Sequence, residues 1–283
     1  MALKIEKASR IGFCFGVKRA IDLIEKVARE RGGIETLGAI VHNQQVLQKL
    51  AQHGVRTAKS LDDIRGDAVA IGAHGVSPKM EAEIRKRCFV VIDTTCPFVH
   101  RAQVAARRLA ESGFFVVIYG EADHPEVKGI LGGTNGKGIA TLDESFLTGF
   151  KRLPRRLGIL SQTTQIPIYF NEFVKKMIDH TLSKDAELRI IDTICHDIRE
   201  RQQAAIELAG KVDLMFVIGS HTSANTTHLA ELCARFCKTH FVETAAQIRP
   251  SWLRGHHHLG VIGGASTAEE TINEVVAKLE AMA

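Results

Sequence analysis

Aromatic residues are scarce in this chain: they make up 6% of its 283 residues, with one Trp and two Tyr. No cluster of Lys and Arg is interleaved with them, which argues against a nucleic-acid surface built on stacking and phosphate contacts. Neither sign of charge dominates. Thirty-seven Lys and Arg against 32 Asp and Glu leave a net charge of +5, suited to an anionic small molecule or an acidic protein partner. No stretch approaches the roughly 20 apolar residues that span a bilayer. The opening Met1-Ala2-Leu3-Lys4-Ile5-Glu6 lacks the apolar centre of a secretion signal. A cytoplasmic protein without membrane contact is therefore expected. There is no G-x-G-x-x-G dinucleotide fingerprint and no Cys-x-x-Cys pair. No linker rich in Pro, Gly or Ser divides the chain.

What is present is ordinary in bulk and unusual in pattern. Hydrophobic content of 45% and charged content of 24% fit a globular protein long enough for more than one domain. Six cysteines in an intracellular chain serve more often as ligands, nucleophiles or buried hydrophobes than as disulfides. Three of them, Cys14, Cys96 and Cys195, each follow an apolar run and open a helical one. Val90-Val91-Ile92-Asp93-Thr94-Thr95-Cys96 and Arg189-Ile190-Ile191-Asp192-Thr193-Ile194-Cys195 are nearly the same approach. Twenty-four residues after each cysteine stands a glycine: Gly38, Gly120 and Gly219. Four further on come His42, His124 and Ser223, and two beyond those Gln44, Glu126 and Asn225. Later polar turns carry His74, Thr163 and Ser266, at 60, 67 and 71 residues past their cysteines. The chain reads as three copies of one α/β unit, each giving a thiolate and polar loops to a common centre. The unit boundaries fall near 14–96, 97–194 and 195–283 plus 1–13.

The periodicity supports that reading. Val17, Ala20, Ile21, Ile24 and Val27 form one helical face, and Val99, Ala102, Ala106 and Leu109 another. Pro97 suits a first helical turn, and a third helix is expected over 198–209. The runs 114–119 and 214–218 are apolar throughout, as strands buried on both faces of a parallel sheet are. The fold class is therefore α/β: three similar domains with parallel-type sheets in pseudo-threefold array around a centre. Ligands of such sheets gather at the carboxyl ends of the strands, where the glycine and polar turns lie.

Three cysteines are an incomplete ligand set. A catalytic zinc site takes three protein ligands and leaves one position open. An iron–sulfur cube held by three thiolates leaves one iron open. Spacings of 82 and 99 residues match neither a zinc ribbon nor a short radical-cluster loop. The histidines, hydroxyls and amide around them suit a phosphate or diphosphate. Glu126 is the one carboxylate among the repeated loop positions, better placed to move protons than to bind an anion.

The segment Gly12-Phe13-Cys14-Phe15-Gly16-Val17-Lys18-Arg19-Ala20 resembles the N-terminal signature of the 4-hydroxy-3-methylbut-2-enyl diphosphate reductases, the LytB family. Val41-His42-Asn43, Ala73-His74-Gly75, Thr94-Thr95-Cys96-Pro97, His124-Pro125-Glu126-Val127, Gln162-Thr163-Thr164 and Gly264-Ala265-Ser266 resemble its other motifs in order, across essentially the whole chain. The resemblance implies three α/β domains around a [4Fe–4S] cluster held by Cys14, Cys96 and Cys195. It implies removal of the allylic hydroxyl of a diphosphate substrate with two electrons and two protons, giving isopentenyl and dimethylallyl diphosphates. By the same resemblance His42, His74, Ser223, Asn225 and Ser266 hold the diphosphate. Glu126, with Thr163 and His124 beside it, both of which also touch substrate, delivers the proton. Reduced ferredoxin or flavodoxin would supply electrons, and a monomer or weak dimer is expected. The alternatives are another three-cysteine iron–sulfur enzyme, such as a dehydratase of a phosphorylated acid, or an iron–sulfur sensor.

The chain departs from the family pattern at three places. The family loop Asn-Ser-Ser-Asn is here Thr222-Ser223-Ala224-Asn225. Glu121 stands where His is common, and a carboxylate near a diphosphate is unfavourable unless it points away. His196-Asp197 follows the third cysteine. Other features are expected to be structural. Cys233 and Cys237 read as small buried hydrophobes, and Cys88 as core before a strand. The basic run 151–156 reads as a solvated loop, and Gly132 to Gly138 as a flexible turn rather than a phosphate loop.

Overall fold

A computed structural model describes residues 3–87, 89–150, 154–181 and 185–282. Cys88 and residues 151–153 of the basic run lie outside them. Among the described residues the chain forms twelve strands, nine α-helices and short 3-10 turns. The strands are β1 (Lys4–Lys7), β2 (Ile34–Leu37), β3 (Val55–Ala58), β4 (Ala68–Ile71), β5 (Val90–Asp93), β6 (Phe115–Tyr119), β7 (Gly138–Thr141), β8 (Arg156–Ser161), β9 (Glu187–Ile191), β10 (Leu214–Ile218), β11 (Lys238–Val242) and β12 (His258–Gly263). The helices are α1 (Phe15–Arg31), α2 (Gln44–Gln52), α3 (Pro78–Lys86), α4 (Pro97–Glu111), α5 (Pro125–Gly132), α6 (Pro167–Thr181), α7 (His196–Ala209), α8 (Ala224–Ala234) and α9 (Glu269–Glu280).

Three four-stranded sheets result, in the orders β3-β2-β4-β5, β7-β6-β8-β9 and β11-β10-β12-β1. Every pairing is parallel. The three orders are one order repeated. In each sheet the edge strand (β5, β9 or β1) leads into a cysteine, and the next helix (α4, α7 or α1) starts one residue after it. The two inner strands end in the glycine turn and in the later polar turn.

By packing, the chain divides into two compact units: residues 1–18, 41–52 and 196–283, and residues 19–40 and 53–195. The first unit holds one sheet. Leu214, Phe216 and Ile218 of β10 face Ile272, Val275 and Leu279 of α9. Met215 and Val217 face Ala205 and Leu208 of α7 and Leu229 and Cys233 of α8. Both faces are covered, as the uninterrupted apolar run requires. Cys233 is fully buried with its thiol pushed up to about 12, chiefly by burial, and Cys237 packs against the same core. Both act as hydrophobes.

The second unit holds the other two sheets. Val116 and Ile118 pack under α4 and α5, while Val117 and Tyr119 pack under α6. One local expectation needs adjustment. Gly132 is the last residue of α5 and Gly138 the first of β7, so only the residues between them form the turn. The reason is close packing: a Cβ at Gly132 would sit 2.5 Å from that of Ser77, which caps α3. His258 opens β12, where its ring meets Glu6 of β1 at 3.1 Å.

Candidate active site

In the larger unit a hydrogen-bonded chain links four of the expected residues. Pro125 starts α5 and His124 caps it: the His124 Nδ1 accepts the Glu126 N–H at 3.2 Å. The cap places Glu126 in the first turn, where its carboxyl is buried, 3% exposed. Glu126 Oε1 accepts the Thr163 N–H at 2.7 Å, and Oε2 accepts the Thr163 hydroxyl at 2.9 Å. The Thr163 carbonyl accepts the Cys195 N–H at 3.0 Å. Burial raises the pKa of Glu126 above the ordinary carboxyl value, against the two lowering bonds from Thr163. A buried acid that keeps its proton to higher pH than usual is equipped to donate it. Gln162, also buried, aligns the adjoining loop through Oε1, which accepts the Glu121 N–H at 3.1 Å.

Cys96 caps α4 in the same unit. Its N–H donates to Ala73 O at 2.9 Å, which ties it to the turn carrying His74. Burial pushes the Cys96 thiol up, and the Phe98 and Val99 N–H groups at the helix start pull it back down. The charge of Glu126 also raises it, and that of Arg19 lowers it. Arg19 donates to the Thr94 and Thr95 carbonyls at 3.3 and 3.2 Å, bracing the approach to Cys96.

In the smaller unit Cys14 precedes α1, and its Sγ accepts the Val17 N–H at 3.4 Å. Its own N–H donates to Ala265 O at 2.9 Å, one residue from Ser266. The Ser266 hydroxyl donates to His42 O at 3.3 Å, and Asn43 Nδ2 donates to Ser266 O at 2.8 Å. Burial lowers the His42 pKa, so its ring is held neutral. Ser223 and Asn225 are buried at the start of α8, after β10. Because β10 pairs with β12, the loops that follow them are neighbours. An added methyl at Gly264 would run into Thr226. Asn225 is 3% exposed, yet neither end of its amide has a hydrogen-bond partner. An orphaned amide is costly inside a protein. Beside a helix start, it marks a place for a ligand with acceptor oxygens.

The structure thus groups Cys96, His74, His124, Glu126, Thr163 and Cys195 in one unit, and Cys14, His42, Ser223, Asn225 and Ser266 in the other. Asp197, a departure from the family pattern, is structural: its Oδ2 accepts the Phe15 N–H at 3.3 Å. His196 is exposed and pairs with Glu200 at 2.9 Å. Arg201 is a residue that sequence reasoning missed. It is fully buried and donates to Gly263 O at 2.9 Å, Gly12 O at 3.0 Å and Arg10 O at 3.4 Å. It pins the Cys14 approach to the end of β12. A signal for it exists: Arg201 falls on the buried stripe Ile198, Ala205 and Leu208 of α7, where a charge is out of place unless partnered.

The donor set fits an iron–sulfur cluster. Cys14, Cys96 and Cys195 are in no disulfide, and each stands directly before a helix whose N-terminal dipole favours a thiolate. Among the described residues, no three His, Cys, Asp or Glu side chains are grouped to hold a single metal ion. No helix there is long and apolar enough to cross a membrane.

Three repeated parallel sheets, each with an edge strand that leads to a cysteine before a helix, define an α/β protein. The chain belongs to the LytB family: the family model described as LytB protein matches residues 5–280. It is 58% identical over 278 residues to the 4-hydroxy-3-methylbut-2-enyl diphosphate reductase of Dehalococcoides mccartyi strain CBDB1, covering 98% of each chain. It is 42% identical to the reductase of the same name from Geobacter metallireducens, covering 98% of this chain and 97% of that one. A solved (E)-4-hydroxy-3-methyl-but-2-enyl diphosphate reductase, described as the terminal enzyme of the non-mevalonate pathway, is 37% identical, with a TM-score of 0.71 and 99% of both chains covered. The reductase structure from Plasmodium falciparum, at 24% identity, a TM-score of 0.91, and 98% and 88% coverage, shares the fold.

Proposed function

We propose that this protein is a cytoplasmic oxidoreductase that converts 4-hydroxy-3-methylbut-2-enyl diphosphate to isopentenyl and dimethylallyl diphosphates, the last step of the non-mevalonate isoprenoid pathway. The allylic C–O bond breaks, a C–H bond forms, and the hydroxyl leaves as water; two electrons and two protons are consumed. The repeats at 14–96, 97–194 and 195–283 plus 1–13 are read as its three domains. That each sheet draws its strands from one of these spans supports this.

Cys14, Cys96 and Cys195 would hold a [4Fe–4S] cluster, which when bound supplies the electrons and a Lewis-acidic iron at the departing oxygen. The chain's own residues do the rest. Asn225 donates through its Nδ2 to a diphosphate oxygen, together with Ser223, Ser266 and His74. His42 donates as a neutral ring, which its burial favours. Glu126 carries the proton that turns the hydroxyl into water. Thr163 fixes the carboxyl through both oxygens, and His124 anchors the helix turn that presents it. Reduced ferredoxin or flavodoxin supplies electrons to a monomer or weak dimer.

The observation that carries the reading is the buried Glu126–Thr163 pair, linked through backbone to Cys195. Glu126→Gln tests it. The variant should keep the iron and absorption spectrum of the reconstituted protein but lose turnover by about 10²-fold or more. Full turnover in the variant would remove Glu126 from the chemistry. An iron–sulfur sensor would show no turnover in either protein.

A further inference from the structure

The larger unit carries a groove that the chemistry above does not use. It lies between α4 and the edge strand β9, encloses about 540 Å³, and is lined by Arg101, Val104, Arg108, Arg189, Ile190 and Ile191 among others. Its charge has one sign, because no carboxylate lines it. Among the described residues neither Arg101 nor Arg108 forms an ion pair. Arg189 is held in place: its guanidinium stacks on the Phe114 ring at 4.4 Å, as does that of Arg156, and Glu187 braces both. Ile190 is 44% exposed on the outer strand of the sheet. An apolar edge framed by arginines, two of them without carboxylate partners, favours an acidic protein partner.

The position of the groove says what that partner brings. Both of its walls run to expected ligands. Cys96 caps α4, so Arg101 lies only about 7–8 Å further along the helix. β9 ends at Ile191, four residues before Cys195. We infer that the α4–β9 groove is the docking surface for a small acidic ferredoxin that delivers electrons to the Cys96 and Cys195 end of this unit. This rests on the reductase reading, which requires electrons from outside the chain. A second copy of this chain is disfavoured as occupant, since a two-fold contact would set arginines against arginines. One helix and one edge strand bound a short site, suited to a donor whose cluster sits in a compact cysteine loop.

The test is the Arg101→Glu/Arg108→Glu double variant of the cluster-loaded protein, assayed anaerobically with two donors. Reduced methyl viologen is a small cation that needs no docking surface, and its turnover should stay within about twofold of wild type. With a reduced acidic ferredoxin, KM should rise by about tenfold or more at low salt, and the gap should narrow as salt screens the contact. Calorimetric titration with the same ferredoxin reads the surface without turnover and should show a matching loss of affinity. Viologen turnover by the wild type decides the reductase reading separately. Unchanged KM and affinity for ferredoxin would overturn the docking proposal. So would equal losses with both donors, an equal effect from Lys59→Glu/Lys79→Glu elsewhere on the unit, or a loss seen with a flavodoxin and not with ferredoxin.

Discussion

Replacing Glu126 separates stability from activity in a way that few substitutions allow. Its carboxyl is buried and its pKa lies above the ordinary value of 4.5, because burial outweighs the two bonds from Thr163. A carboxyl whose folded pKa is raised favours the fold while protonated. That contribution is complete below the unfolded pKa and is lost as pH rises through the folded one. The amide of the Glu126→Gln variant never ionises. Its carbonyl can accept the Thr163 N–H, and its NH₂ can donate to the Thr163 hydroxyl, so both bonds survive with reversed polarity at one of them. Glu126→Gln should therefore match wild type in melting temperature near pH 4, below the unfolded pKa, and exceed it at pH 8. Glu126→Ala instead leaves the buried Thr163 N–H unpaired and opens a cavity. It should cost about 2–4 kcal/mol at either pH, or roughly 5–10 °C in Tm. Differential scanning calorimetry of the cluster-free proteins at the two pH values checks this. A Glu126→Gln variant that melts below wild type at pH 8 would show that the ionised carboxylate is held favourably, and would refute the assignment of Glu126 as a buried acid.

Asn225→Ala removes an amide with no protein partner. The unliganded fold should keep its Tm within about 2 °C, while inorganic pyrophosphate binding, read by calorimetry, should weaken by about tenfold. Arg201→Met strips three carbonyls of their donor and should destabilise the protein by about 3–5 kcal/mol in urea unfolding. Arg107→Met on the exposed side of α4 should change stability by no more than about 0.5 kcal/mol. Cys14→Ser, Cys96→Ser and Cys195→Ser should each lose iron after reconstitution, whereas Cys233→Ser should retain it, as iron analysis would show. Ala224→Ser restores a hydroxyl at the start of α8 and should tighten substrate binding severalfold, about 1 kcal/mol, read as a lower KM.

Much of this architecture is legible along the chain because parallel strands covered on both faces must be apolar at every position. Phe115 to Tyr119 and Leu214 to Ile218 admit no other reading once helical stripes flank them. The cysteines, glycines and polar turns in register report three equal strand orders, since each sits at the carboxyl end of an equivalent strand. The hydrogen-bond partners are less legible. Nothing in the residues around Thr163 says that its N–H and hydroxyl both close on Glu126, because that contact joins a loop to a helix start 37 residues away. Arg201 is hidden because helical arginines usually face solvent, and its targets are backbone carbonyls, which leave no mark in the side-chain pattern. Gly132 is misleading for a related reason. A glycine-rich run resembles a turn until Ser77, from a distant segment, presses against it.

The central claim is the reaction, and an anaerobic product analysis tests it most directly. Cluster-reconstituted protein is mixed with reduced viologen and 4-hydroxy-3-methylbut-2-enyl diphosphate, and the products are identified by mass spectrometry. Isopentenyl and dimethylallyl diphosphates, formed by wild type and about 10²-fold or more slowly by Glu126→Gln, are the predicted result. Unchanged substrate in the presence of a spectroscopically intact cluster would contradict the account.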